Sequence, residues 1–329
     1  MHSFPRVQKN KLANANWLSE RFTEELRPGG NFRLGDFLGK VKQEYVLTPS
    51  KSQVYRAKRK AGLLIEGSLA SQYGKLWDYA EELKRSNPGT TVVIYICLHA
   101  CKLSWLNVCR PIIRLDGCHI KGYHKSQLLL AIGIDVDNGY YPVEYAMVEK
   151  ECYTSWFWFL DLLKLDLRLE RSVRVTFMTD KQKGLVEAIS LLFDGCEHRN
   201  CVHHLYANFQ LKFKNQLLRG KVWQAARVTI VTEFTRVMQE IKNISEEAHN
   251  WLSAKPATQW SRSHFREFPK CDMLLNNLCK SINGDTTILE ARSLSIYSLL
   301  EAIRVKIMNR RSSKRLYMDK WHADLGPKV

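Results

Sequence analysis

The stretch Pro111-Ile-Ile-Arg-Leu-Asp-Gly-Cys-His-Ile120, followed by Gln127-Leu-Leu-Leu-Ala-Ile-Gly-Ile-Asp-Val136 and Tyr140-Tyr-Pro-Val-Glu-Tyr-Ala-Met-Val148, decides the fold. Each run is short and aliphatic, and polar breaks separate them: Lys121–Lys125 after the first, Asp137-Asn-Gly139 after the second. Asn-Gly between apolar runs is a strong hairpin signal, because the tight turn needs positive φ at its centre. Three consecutive strands joined this way predict an antiparallel meander.

Downstream the period changes. Ser155–Leu167 reads as a helix whose Trp156, Phe157, Phe159, Leu160 and Leu163 are core residues. Arg174–Thr179 is expected as a strand, Lys183–Leu192 as a helix, Asn200–His203 as a short strand, with a helix from Leu205. The order β-β-β-α-β-α-β-α predicts an α/β fold with a ribonuclease H-like mixed sheet, in which the last two strands add in parallel through helical crossovers.

The flanks read as helical. Trp17, Leu18, Phe22 and Leu26 form a stripe that stops at Pro28-Gly-Gly30, and Leu34, Phe37, Leu38, Val41 and Tyr45 form another. Ser50 and Ser52 then head a segment carrying Arg56-Ala-Lys-Arg-Lys60, read first as a solvated helix face and second as a DNA-facing or nuclear-import patch. Beyond 216, apolar residues from Trp223 through Ile241 to Trp251 step by 3 or 4, which predicts one or two amphipathic helices. A last helical pattern runs from Leu289 to Ile307 and ends in the basic Asn309–Arg315. The expected divisions are a helical N-terminal region at 1–90, the core at 91–215, a helical insertion at 216–265, a return to the core at 266–315 and a tail at 316–329.

Composition narrows the function. The 329 residues carry 50 Lys and Arg against 33 Asp and Glu, with 45% hydrophobic residues. Their excess sits on the flanks: 16 basic against 9 acidic over 1–90, 13 against 13 over 91–200, 21 against 11 over 201–329. Basic flanks around a balanced centre suit a long polyanion such as DNA. No apolar run reaches the ~20 residues that cross a bilayer, and the opening residues lack a secretory apolar core, so the nine cysteines are expected reduced.

Two carboxylates stand where metal-dependent phosphoryl transfer wants them. Asp116 lies within the first strand and Asp180 ends the fourth, and these strands are neighbours in the expected fold. Paired aspartates can hold Mg²⁺ or Mn²⁺; taken singly, Asp180 reads equally as a strand-end turn cap. Cys196, His198, Cys201 and His204 invite a zinc reading, but loops this short oppose a tetrahedral site, and zinc is disfavoured.

The segments Leu115-Asp-Gly-Cys-His-Ile-Lys-Gly122, Gln127–Asp135, Thr179-Asp-Lys-Gln-Lys-Gly-Leu185 and Cys201-Val-His-His-Leu-Tyr-Ala-Asn-Phe209 resemble the Mutator-like (MULE) transposases of plants, over roughly residues 10–315. The resemblance implies a nuclear enzyme that cuts and joins DNA with Mg²⁺ or Mn²⁺ through a DDE triad, and a possible homo-oligomer. It assigns the first two acids to Asp116 and Asp180, and the family's Cys-x-x-His pair to Cys201 and His204. The third acid departs from the family: its Asn-Asn-x-x-Glu-Ser-x-Asn pattern here reads Asn276-Asn-Leu-Cys-Lys-Ser-Ile-Asn283, with Lys280 at the acid's position. On that helix Asp285 would point about 140° away and Glu290 would lie about 15 Å along the axis. The expectation is a degenerate, severely impaired site. With no cysteine before Cys97 or after Cys279, and a compressed stretch near 98–101, the sequence reads as a truncated copy without the family's zinc-finger modules. The competing readings are a domesticated, non-catalytic DNA-binding regulator and a nuclease that recruits Glu149 as third ligand.

Overall fold

The computed structural model describes residues 10–26, 32–66, 69–88, 90–92, 95–120, 126–169, 174–180, 182–276 and 296–319. In chain order the elements are α1 (Ala15–Arg21), α2 (Leu34–Tyr45), α3 (Lys51–Glu66), α4 (Leu69–Ser86), β1 (Thr91–Val92), β2 (Tyr95–Cys97), α5 (His99–Val108), β3 (Arg110–His119), β4 (Gln127–Ile134), β5 (Tyr140–Val148), α6 (Tyr153–Asp166), β6 (Thr176–Thr179), α7 (Lys183–Leu192), β7 (Glu197–Asn200), α8 (Val202–Lys212), α9 (Gln216–Arg227), α10 (Val231–Ile244), α11 (Glu246–Ser253) and α12 (Ile296–Met318). The chain divides into two compact units: residues 1–82, 119–126 and 282–321, and residues 83–118, 127–281 and 322–329.

The first unit is helical. Leu18, Phe22 and Leu26 pack with Phe37, Val41, Val54, Ala57 and Ala61. Asn14 caps α1 by accepting from the N–H groups of Asn16 and Trp17. Ser50 and Gln53 cap α3 reciprocally, Gln53 N–H to Ser50 Oγ at 3.2 Å and Ser50 N–H to Gln53 Oε1 at 2.8 Å, which satisfies two otherwise orphaned donors. Within the basic run of α3, Arg56, Arg59 and Lys60 are exposed, whereas Lys58 lies over the Phe32 ring at 4.2 Å. The Tyr79 hydroxyl donates to Glu301 on α12 at 2.9 Å.

The second unit is built on a seven-stranded sheet in the order β1-β2-β5-β4-β3-β6-β7. β4 and β5 are antiparallel, and their hairpin forms at the predicted place: Asn138 takes φ 61°, and Asp135 Oδ1 accepts from the N–H groups of Asp137 and Gly139. β6 and β7 add in parallel beyond β3. Pleating sends alternate side chains to opposite faces. Ile113, Leu115 and Phe177 meet Trp156, Phe159, Leu160, Leu163 and Leu185 of α6 and α7. Ile112 packs on the other face with Ile134 and Cys271. Around Trp260, helices α8 to α11 build a separate core from Phe209, Val222, Val237, Ile241 and Leu252.

Two expectations are corrected. The fifth core strand is Glu197–Asn200, ending where Asn200–His203 was expected to begin, and α8 starts at Val202. Its charged residues hide the strand from a hydrophobic pattern, yet Glu197 and Arg199 are buried because they satisfy each other. Arg199 meets Glu197 at 3.0 Å and donates to the carbonyls of Cys271 and Arg266, and Thr176 Oγ1 donates to Glu197 at 2.8 Å. The apolar steps from Trp223 to Trp251 fall on three helices rather than one or two, because Val228–Ile230 breaks the run and Ser245 caps a new helix. The stretch near 98–101 is a direct strand-to-helix join: β2 pairs with β5, α5 starts at His99, and Tyr95, Cys97 and Trp105 enter one core. The 289–295 part of the last expected helix lies outside the described residues. Among those described, no helix is long and apolar enough to cross a membrane.

Candidate active site

β3 and β6 run parallel, with Ile112 opposite Thr176 and Arg114 opposite Met178. Carried two residues further, this register sets Asp116 against Asp180, both on the face away from α6 and α7. Asp116 is buried, and the partly buried Asp180 has one carboxylate oxygen, Oδ1, that is inaccessible and accepts no hydrogen bond. An orphaned buried carboxylate oxygen beside a second carboxylate costs free energy unless a proton or a cation covers it. These two side chains form the donor set that could hold a divalent ion.

Cys201 and His204 join the same place from β7 and α8. Cys201 N–H donates to the Thr179 carbonyl at 2.8 Å, one residue before Asp180, and Cys201 is the N-cap of α8. Its Sγ accepts the Asn276 N–H at 3.1 Å. Burial works against the Cys201 thiolate, but His204 and the Asn276 N–H outweigh it and lower the pKa. The nearby Cys201 thiol, with the fields of Asp180 and Asp116, raises that of His204 above the usual histidine value. His198 is engaged elsewhere, its Nε2 at 2.8 Å from Thr179 Oγ1. The Cys-x-x-His pair thus ties the end of β6 to the start of α8 and places an imidazole within the field of the two aspartates.

Asn276 completes the frame. Its side-chain amide donates to the Leu115 carbonyl at 2.8 Å, one residue before Asp116, and the Val202 N–H donates to the Leu274 carbonyl at 2.8 Å. Lys280, four positions on, lies outside the described residues. Two glycines of the motifs have packing reasons. A Cβ on Gly184 would stand 2.6 Å from the Tyr153 backbone nitrogen, and one on Gly117 would stand 2.7 Å from the Glu151 carboxylate. Glu151, absent from the sequence reading, is held by the Trp156 indole N–H at 3.1 Å. Pleating turns Gly117, and with it the neighbouring Glu151, to the face opposite Asp116. Glu149 is exposed.

Residues 112–208 match the MULE transposase domain family. The MULE segment runs from β3 into α8 and so contains Asp116, Asp180, Cys201 and His204, four of the positions that the geometry brings together. It supports a Mutator-like transposase origin for this segment, and a transposase domain implies interaction with DNA. No curated protein matches the chain.

Proposed function

We propose that this protein is a Mutator-like transposase derivative with a ribonuclease H-like core, a nuclear DNA-binding protein in which strand cutting and joining are severely impaired by Lys280. The observation that carries the reading is the parallel register of β3 and β6, whose two aspartates fall inside the MULE segment. The strand order β5-β4-β3-β6-β7, three meander strands followed by two parallel additions, supports the ribonuclease H-like assignment.

Asp116 and Asp180 would hold Mg²⁺ or Mn²⁺, which when bound activates a water or 3′-hydroxyl and stabilises the leaving oxygen. Asn276 and Cys201 hold the strand ends that carry the aspartates in place. His204 adds positive character beside them when protonated. A third carboxylate is required to complete the donor set of a DDE site. Lysine at 280 would instead bring an ammonium that repels a cation. The excess basic charge of the flanks remains available to DNA phosphates.

The test is a strand-cleavage and strand-transfer assay on labelled DNA with Mn²⁺, together with DNA binding titrated against salt. The expected result is DNA affinity that falls steeply with salt, without cleavage or joining. Mn²⁺-dependent cleavage that vanishes in Asp116→Ala would overturn the impairment, and a salt slope near zero would overturn the DNA-binding reading.

A further inference from the structure

A second cluster of potential metal ligands lies on the other side of the sheet's centre. β2 and β5 pair antiparallel with Cys97 directly opposite Glu144, so both side chains project from one face. Asp166, the last residue of α6, reaches the same point from the helical layer, and the Tyr95 hydroxyl donates to its Oδ2 at 2.8 Å. One donor atom from each of Cys97, Glu144 and Asp166 lies within 4.8 Å of the other two, and all three residues are buried. Glu144 sits on β5 and Asp116 on β3, two strands apart, or about 10 Å at ordinary interstrand spacing.

Glu144 is the anomaly. It is fully buried, neither carboxylate oxygen has a hydrogen bond of ordinary geometry, and burial pushes its carboxyl up to about 8 in spite of the nearby Tyr95 hydroxyl and Cys97 thiol. The one cation beside the cluster among the described residues, Lys102, is already engaged with Asp166 at 3.0 Å. A structural core does not keep a bare carboxylate without a proton or counter-ion.

We infer that Cys97, Glu144 and Asp166 form a buried binding centre for one thiophilic divalent cation such as Zn²⁺, separate from the paired aspartates and structural in role. The donor chemistry favours it: a thiolate selects against Mg²⁺ and Ca²⁺, whereas Zn²⁺ accepts thiolate and carboxylate together. Charge closes as well, since one thiolate and two carboxylates are balanced by the ion together with Lys102. The Cys97 thiol proton and the Glu144 carboxyl proton leave to solvent as the ion binds. Bound there, the ion would clamp β2 and β5 to the end of α6. The zinc string weighed in the sequence, Cys196 to His204, is a different place.

The test uses the full chain, stripped with chelator and reloaded with Co²⁺ as a spectroscopic stand-in, with metal content measured alongside. One thiolate-bound Co²⁺ per chain is expected, with a near-ultraviolet thiolate-to-cobalt charge-transfer band. The band should vanish in Cys97→Ser, and Glu144→Gln, nearly isosteric, should weaken Co²⁺ binding at least about tenfold while circular dichroism shows the fold retained. Cys201→Ser and the Asp116→Asn, Asp180→Asn double variant should keep the band. Absence of the band in the wild type, its survival in Cys97→Ser, undiminished affinity in Glu144→Gln, or its loss in Cys201→Ser would each overturn the inference. Should Cys97→Ser not fold, the Glu144→Gln comparison decides alone.

Discussion

The side-chain amide of Asn276 donates to the backbone carbonyl of Leu115 at 2.8 Å, across 161 positions of sequence. Through this bond the segment that leads toward Lys280 is pinned beside the strand that carries Asp116. The same residue's N–H meets Cys201 Sγ, so one asparagine links β3, the start of α8 and the approach to the third-acid position. Because Asn276 is buried, replacing it with alanine leaves the Leu115 carbonyl without this donor. Asn276→Ala is expected to cost about 1–2 kcal/mol, read as a lower urea midpoint at unchanged slope.

The Glu197–Arg199 pair is buried on both sides, and Arg199 also braces the 266–271 segment. Breaking such a pair from one side strands the other charge in the core. Arg199→Met is therefore expected to destabilise by about 3–5 kcal/mol, and the double variant with Glu197→Gln by less than the sum of the singles. Chemical denaturation of the three variants measures this directly.

The two motif glycines should separate in their response to a methyl group. At Gly184 the obstacle is the backbone of Tyr153, which has no rotamer to give; at Gly117 it is the end of the Glu151 side chain. Gly184→Ala is expected to cost about 1–3 kcal/mol, and Gly117→Ala less, with a shift in Trp156 fluorescence as Glu151 moves off the indole. Thermal unfolding of the two variants checks the order.

Cys152, at the N-cap of α6, is partly exposed, and hydrogen bonds from Ser155 and then Thr154 bring its thiol down to about 7. Burial pushes Cys97, Cys196 and Cys271 the other way. Since only the thiolate is nucleophilic, Cys152 should alkylate ahead of those three near neutral pH, its rate rising through pH 7 and levelling above it. Mass spectrometry of iodoacetamide-treated protein, with Ser155→Ala moving the inflection upward, tests this.

Much of the architecture was legible because it rests on local signals. The Asn138-Gly139 turn, the aliphatic runs of β3 to β5 and the stripe of α6 announce themselves by period and turn chemistry. β7 did not, since Glu197 and Arg199 become core residues only through partners near 266 and 271. The approach of Asp116 to Asp180 could be anticipated from strand order, but the roles of Asn276 and Glu151 could not, because each acts through a contact without a sequence period. Gly117 and Gly184 were the available clues: a glycine beside a motif acid marks a close approach. The Cys97–Glu144 pair required the register of a three-residue strand, which alternation cannot set over so short a run.

The central claim is that Asp116 and Asp180 form one divalent-cation site compromised by Lys280. A Mn²⁺ titration followed by electron paramagnetic resonance, in a Glu144→Gln background that weakens the second centre, tests it most directly. The account predicts that Asp116→Asn and Asp180→Asn each weaken Mn²⁺ binding, that combining them adds little because they share one ion, and that Lys280→Glu tightens it. Mn²⁺ binding indifferent to both aspartates would contradict it.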